Sequence, residues 1–406
     1  MQINLKKWVL FCLPLFLICG QAQCQIFKDG DYPLFRHSAR VGVDAWRFTP
    51  SEPEKLLMTA TNSAWKYRST SPWLTFDGQV DFSQNASLNL KMKADQSMGT
   101  HVDELNVAWA YSPSLGFNAG VVSYKTSWCR TYDVDTPWVR EADPFCNVQS
   151  TSDASGGAPG AQMYIRGTLG RYQVQGVGGI YRPLLFKYNT TEFSNAKYPN
   201  SHIDTNNKKG LSIHVVNLDT ATELRLGLLS TTQSAYVFND WRYEPFYTRQ
   251  TYNMVFFGAA FYVLPNVSMR VQTLRHDMAA SNWSVPGSLS PRYRGGVELA
   301  RKSDVVEVNY HASSKDIAAL AVSKYLYDYT DIYTNYPMPG YTTIPGGYVY
   351  KNRNIAASWR HDWRDGFFTT VQWSFNTLDL KSVVTTPTVD RSSHAHGLGL
   401  RLGYQF

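Results

Sequence analysis

Short stretches of this chain alternate apolar and polar residues with a period of two, the pattern of a strand that shows one apolar face. Between residues 73 and 82, Leu74, Phe76, Gly78, Val80 and Phe82 share one face, and Thr75, Asp77, Gln79 and Asp81 share the other. After Ser83-Gln84-Asn85, the residues Ala86, Leu88, Leu90, Met92 and Ala94 oppose Ser87, Asn89, Lys91 and Lys93. The last segment sets Leu398, Leu400, Leu402, Tyr404 and Phe406 against Gly399, Arg401, Gly403 and Gln405. Read along its whole length, the sequence predicts sixteen strands, at 40–48, 73–82, 86–94, 104–112, 115–124, 161–169, 172–180, 210–217, 222–229, 252–263, 267–276, 293–300, 304–312, 353–361, 367–376 and 396–406. The pattern is weak at 40–48, and the faces of 252–263 are ambiguous because Phe256 and Phe257 are adjacent.

The links between strands alternate in length. Short ones fall at 83–85, 113–114, 170–171, 218–221, 264–266, 301–303 and 362–366. Longer ones fall at 49–72, 95–103, 125–160, 181–209, 230–251, 277–292, 313–352 and 377–395. Residues 317–327 also alternate, and added strands there would raise the number to eighteen. That would place a connection containing Pro337 and Pro339 at the short-turn end, so 313–352 is read as a loop. Tight turns at one end and long loops at the other describe a membrane barrel. In a bilayer every backbone N–H and C=O needs a partner, so a sheet that crosses must close on itself. The expected fold is all-β, a transmembrane antiparallel β-barrel whose apolar faces meet lipid and whose polar faces line the lumen.

Composition agrees. The 406 residues are 43% hydrophobic and 14% aromatic but only 17% charged, while mean hydropathy is −0.32. A helical membrane bundle would be far more apolar, and a disordered chain far less aromatic. The longest later apolar run, 254–264, is too short for a membrane helix. Strand-end aromatics suited to the membrane interfaces are Trp73, Trp109, Tyr111, Tyr172, Tyr252, Trp359, Trp363 and Tyr404. The net charge of +7 is scattered, with no basic run to recruit nucleic acid.

Residues 1–24 have the layout of a secretory signal peptide. Lys6 and Lys7 precede an apolar stretch from Trp8 to Ile18, and cleavage is expected after Ala22 or Cys24. The remainder, 25–406, reads as one barrel domain with no plug before the first strand. Export leads to an oxidising compartment, so Cys129 and Cys146 are expected to pair. A bridge of that span contributes about 3 kcal/mol.

The terminal Tyr404-Gln405-Phe406, the sixteen strands, and a long loop at 125–160 between the fifth and sixth strands together resemble the Gram-negative outer-membrane porins. The resemblance spans the mature chain in architecture. The loop lacks a Pro-Glu-Phe-Gly-Gly motif and carries Trp128-Cys129-Arg130 and Phe145-Cys146 instead. What the resemblance implies is a bacterial outer-membrane location and a passive channel for small hydrophilic solutes or ions. It also implies contact with outer-membrane lipid and lipopolysaccharide, handling of Tyr404 and Phe406 by the assembly machinery, and a homotrimer as in general porins. In that family the loop corresponding to 125–160 folds inward and narrows the pore. Its Asp133, Asp135, Glu141 and Asp143 would then face a basic wall of Arg40, Lys91, Lys93, Arg360 and Arg401. The bland alternative is that these charges form salt bridges along the wall. A substrate-specific channel, a barrel enzyme and an adhesin are the competing readings.

Signals for catalysis are thin, and no enzyme activity or cofactor is expected. His394 and His396 share a strand face but lack a third metal ligand. His311-Ala312-Ser313-Ser314 resembles the His-x-Ser-Asn stretch of outer-membrane phospholipases, with Ser314 where that family has Asn. His276 and Asp277 are adjacent, so on a strand they point to opposite faces.

Overall fold

The alternation is realised in one antiparallel sheet that closes on itself. The structure is a computed structural model. It describes residues 32–50, 68–95, 99–123, 136–139, 157–182, 202–205, 208–239, 244–284, 294–334, 346–382 and 390–406. The strands are β1 (Leu34–Pro50), β2 (Arg68–Asp81), β3 (Ala86–Asp95), β4 (Gly99–Ser112), β5 (Leu115–Ser123), β6 (Gly157–Leu169) and β7 (Tyr172–Tyr181). Strand β8 runs in two stretches, His202–Thr205 and Lys208–Asn217, both paired with β9 (Glu223–Asn239). There follow β10 (Glu244–Leu264), β11 (Val267–Ser284), β12 (Arg294–His311), β13 (Asp316–Thr334), β14 (Gly346–Asp362), β15 (Phe367–Ser382) and β16 (Asp390–Gln405). Each strand pairs with its neighbours in sequence, and β1 closes the ring by pairing with both β2 and β16. With β8 taken as one strand, the barrel has sixteen.

At one end the turns are tight and organised by small polar side chains. The Ser83 hydroxyl accepts from the N–H groups of Asn85 and Ala86, at 3.2 and 3.1 Å. Ser313 does the same for Lys315 and Asp316, both at 3.0 Å, and donates to the Asp316 carboxylate at 2.7 Å. Gly170 supplies the positive φ of 59° that a two-residue hairpin requires. The start of β1 lies at this end, and so does Phe406, whose N–H donates to the Ala39 carbonyl at 2.9 Å.

The outer face carries an apolar belt, exposed to the surroundings. It includes Val41, Val43, Leu105, Val107, Val306, Val308, Leu320, Val322, Leu398, Leu400 and Leu402. Toward the short turns it ends in exposed aromatics, among them Tyr111, Tyr310, Trp359, Trp363 and Tyr404, as an interfacial girdle does. The inner face carries buried polar residues such as Ser303, Asn354, Thr370, Gln372 and Asn376. A sheet with this sidedness is stable only with lipid outside and water or protein inside.

Four expectations need correction. Residues 293–300 and 304–312 form one strand, β12, and 301–303 is no turn. The charged run Arg301-Lys302-Ser303-Asp304 looked like a break because charge interrupts the apolar face where the belt ends. Conversely, 316–334 is a strand, and the Pro337–Pro339 region lies in the link after it, at the long-loop end. The two errors cancel, which is why the number sixteen survives. The expected loops 95–103 and 230–251 also shrink, because the flanking strands extend to Asp95 and Gly99 and to Asn239 and Glu244. Finally, Trp73 is no girdle residue: it faces inward and is 4% exposed, because its indole N–H has a carboxylate partner there. The Tyr252 side chain lies outside the described residues.

Candidate functional site

Barrel closure brings the five basic residues expected in the pore onto neighbouring strands. Register sets Arg40 beside Thr75 and Thr75 beside Lys93. It sets Arg401 between Asp44 and Thr370, with Arg360 beyond Thr370. All five fall on the inner face, and four are paired on the wall itself. The Arg401 guanidinium donates to both oxygens of Asp44, each at 2.8 Å, and both side chains are buried. Trp73 donates to the same carboxylate at 2.9 Å, and Arg401 lies over its ring at 5.6 Å. Lys93 pairs with Asp103 in a buried contact. Asp103 reaches Lys93 at a bulge, where the register slips between Lys91 and Met92. Arg360 donates to Asp362 at 2.8 Å and packs over Phe368 at 4.5 Å. Lys91 lies 3.5 Å from Asp77, in a more exposed contact. The loop carboxylates Asp133, Asp135, Glu141 and Asp143 lie outside the described residues, as do Cys129 and Cys146. Tyr404 and Phe406 face outward and meet edge to face at 4.7 Å.

Two parts of the 125–160 segment are described: 157–160 already belong to β6, which shortens the expected loop, and 136–139 lie inside the barrel. Residues 136–139 are buried throughout, and Trp138 and Val139 are 0% exposed. The Trp138 ring packs on Ala319, Ala321 and Ala356, inward residues of β13 and β14. Its indole N–H donates to Glu307 Oε2 on β12 at 2.6 Å. The other oxygen of Glu307 accepts from Arg270 Nε at 2.8 Å and from Asn309 at 2.5 Å, so this fully buried carboxylate is satisfied on both sides. The Val139 N–H donates to the Gln372 side chain on β15 at 2.7 Å. Register explains the seat. Ala321 and Ala356 are Cα partners at one level, and Ala319, Ser358, Gln372 and Gly399 follow at the next. Small side chains there leave room for an indole. A Cβ on Gly399 would stand 3.0 Å from the Val139 side chain and 2.7 Å from the Trp46 ring.

Sequence reasoning missed the Trp138 contact. Trp138 sits in a polar, irregular stretch, and nothing local distinguishes it from a surface tryptophan. The signal available was a set of small residues two apart, Ala319 and Ala321, in a stretch read as loop, with Ala356 on the following strand. The opposite wall departs from expectation too. Met254, Phe256 and Leu274 face inward within a buried apolar cluster that includes Leu229 and Tyr181, while Phe257 faces out.

The enzymatic candidates are not brought together into one site among the described residues. His311 faces inward with Nε2 3.5 Å from the Ser268 hydroxyl, and the Ser313 hydroxyl is engaged in its turn. His394 and His396 point outward against the Phe375 ring, at 6.0 and 5.0 Å. His276 is inward and buried.

No protein-family model matches the chain, and no curated protein sequence does. Solved structures do match. The high-pH structure of Pseudomonas putida OprB aligns over 96% of this chain and 97% of its own, with TM-score 0.53 and 10% identity. The anion-selective porin from Comamonas acidovorans aligns over 92% and 99%, with TM-score 0.52 and 10% identity. At that identity the likeness establishes the fold, and it does so over nearly the whole of each chain. The sidedness of the sheet, its closure and these matches agree that the chain folds as a sixteen-stranded barrel of the outer-membrane porin type.

Proposed function

We propose that this barrel is a passive channel of the bacterial outer membrane for small hydrophilic solutes or ions, with the segment around Trp138 setting its constriction. The observation that carries this reading is the seating of 136–139 inside a polar lumen, against the far wall. Sixteen strands enclose a space wide enough for water, and a chain segment crossing it narrows the path without sealing it. The paired cations Arg401 and Arg360 stiffen the wall on which the segment rests, while Lys93 and Lys91 are paired farther round the barrel and Arg40 lies between the two groups on the inner face.

The surroundings of the barrel fit the same reading. Outward basic residues Lys324 and Arg353 lie one alternation beyond Val322 and Ile355, and Lys302 lies two beyond Val306, paired with the intervening Asp304 at 3.3 Å. That margin, at the long-loop end, suits anionic headgroups such as those of lipopolysaccharide. Reconstitution of the full chain into a planar bilayer tests the channel. Discrete ohmic steps are expected, and a correctly folded barrel that gives no steps would refute the proposal.

A further inference from the structure

Above the Trp138 seat, toward the long loops, the inner wall changes character. Arg301 on β12 is the Cα partner of Tyr327 on β13, and Tyr327 is the partner of Tyr350 on β14. Tyr325 lies one alternation below. The rings form a connected patch, with Tyr325 centred 6.4 Å from Tyr327 and 6.1 Å edge-on from Tyr350. The Arg301 guanidinium rests over the Tyr327 ring at 5.1 Å. All four side chains are partly exposed, and Tyr350 also packs against the buried cluster of Phe48, Leu378 and Ala395. Arg301 Nε is itself buried and has no hydrogen-bond partner among the described residues, so the guanidinium meets the lumen through its other nitrogens.

The charges around it are one-sided. The other described inward residues at these two levels, from β11 to β16, are Leu274, His276, Ser303, Asn352, Leu378 and Ser393. None is a carboxylate. The acids nearest in sequence, Asp304 and Asp328, fall on the outer face by alternation. This is the reverse of the wall below, where cations are matched with carboxylates. A guanidinium stacked on a phenol ring, with an N–H unsatisfied, recognises an anion. Adjacent phenol rings recognise a flat apolar body.

Resting on the channel reading, we propose that Arg301 with Tyr325, Tyr327 and Tyr350 forms a binding site for small aromatic carboxylates entering from the long-loop end. The carboxylate meets Arg301, and the ring lies against the tyrosines. Charge alone would accept any anion. The rings add selection for a planar body, and the missing wall carboxylate removes competition for the guanidinium.

The test uses the full chain in a planar bilayer, with benzoate, acetate and benzylamine added on the long-loop side. Benzoate is expected to interrupt the current at concentrations at least about tenfold below acetate, with no block by benzylamine. Arg301→Gln is expected to weaken benzoate block about tenfold, and Tyr327→Leu to narrow the difference between benzoate and acetate. Equal potency of benzoate and acetate in the unaltered chain overturns the site without needing any variant. So does unchanged block in Arg301→Gln. Calorimetric titration of benzoate into the detergent-folded barrel separates the two ideas. Binding without current steps would support the site and refute the channel; steps without binding would do the opposite.

Discussion

Trp138 offers the sharpest test of the constriction. Replacing it with alanine removes an indole that is 0% exposed and packed on three alanines. Truncation of a buried tryptophan typically costs about 3–5 kcal/mol. Here that loss falls on docking of the segment and not on the barrel, whose strands remain fully paired. At 1.4 kcal/mol per decade, a loss of 3 kcal/mol lowers the docked-to-undocked ratio by roughly a hundredfold. Trp138→Phe isolates the hydrogen bond. It keeps most of the ring but leaves Glu307 Oε2 without its 2.6 Å donor, since Arg270 and Asn309 both serve Oε1. A buried acceptor left in that state costs about 1–3 kcal/mol, about tenfold in the same ratio. Single-channel recording reads the outcome. Trp138→Ala should give larger conductance with frequent transitions, and Trp138→Phe an intermediate trace of similar mean conductance but more noise. If Trp138→Ala reproduces the unaltered conductance and noise, the segment is not the constriction.

Filling the seat from the other side should mimic that loss. Ala356→Leu, with Trp138 intact, is expected to raise conductance as Trp138→Ala does, again by single-channel recording. Arg401→Gln removes the charged partner of the buried Asp44 carboxylate, which keeps the Trp73 N–H, a loss of about 3–5 kcal/mol, and should lower the unfolding midpoint of the detergent-folded barrel. Adding Asp44→Asn to that variant should recover most of the loss, and a double variant no more stable than the single one would contradict the pairing. Val322→Arg puts a charge in the lipid-facing belt at about 2–4 kcal/mol, whereas Ser323→Arg points it into the lumen. Only the first should impair insertion, measured as heat-modifiable mobility on a gel, and the reverse outcome would mean the register is off by one. Cys129 and Cys146 are expected to pair, so a thiol count on the unreduced protein should find neither of them free.

What was legible in the sequence followed from the solvent on each side of the sheet. Lipid outside is uniform, so the outer face had to read as apolar, and Leu398, Leu400 and Leu402 announced their strand without help from any contact. The short turns were legible for a local reason, since Ser83 and Ser313 organise their own neighbours. The interior is less readable because its solvent is mixed. Where the lumen meets water the inner face is polar, as at Asp77 and Gln79. Where it meets protein, as at Ala319, Ala321 and Phe256, it is apolar, and the strict alternation fails. The break assigned to 301–303 has a related cause. The belt ends there, so Lys302 and Asp304 sit on the outer face at its margin while the strand continues beyond it. A period-two reading detects the membrane and not the strand, and it stops where the membrane does.

The pattern of pairing bears on how such a lumen discriminates among ions. In the short-turn half, Arg401 with Asp44, Arg360 with Asp362, Lys93 with Asp103 and Arg36 with Asp81 place opposite charges within hydrogen-bond reach of each other. Each pair presents a dipole whose field decays within a few ångströms, and salt at physiological strength screens the remainder over about 8 Å. These side chains therefore fix the shape of the wall more than they bias the sign of what passes. Discrimination then falls to charge that the wall does not neutralise. In the described lumen that charge includes Arg301, on the long-loop side of the Trp138 seat, where a solute would meet it before the narrowest point. Affinity at that position raises local concentration ahead of the constriction without adding a barrier inside it, which is the arrangement a conducting site requires.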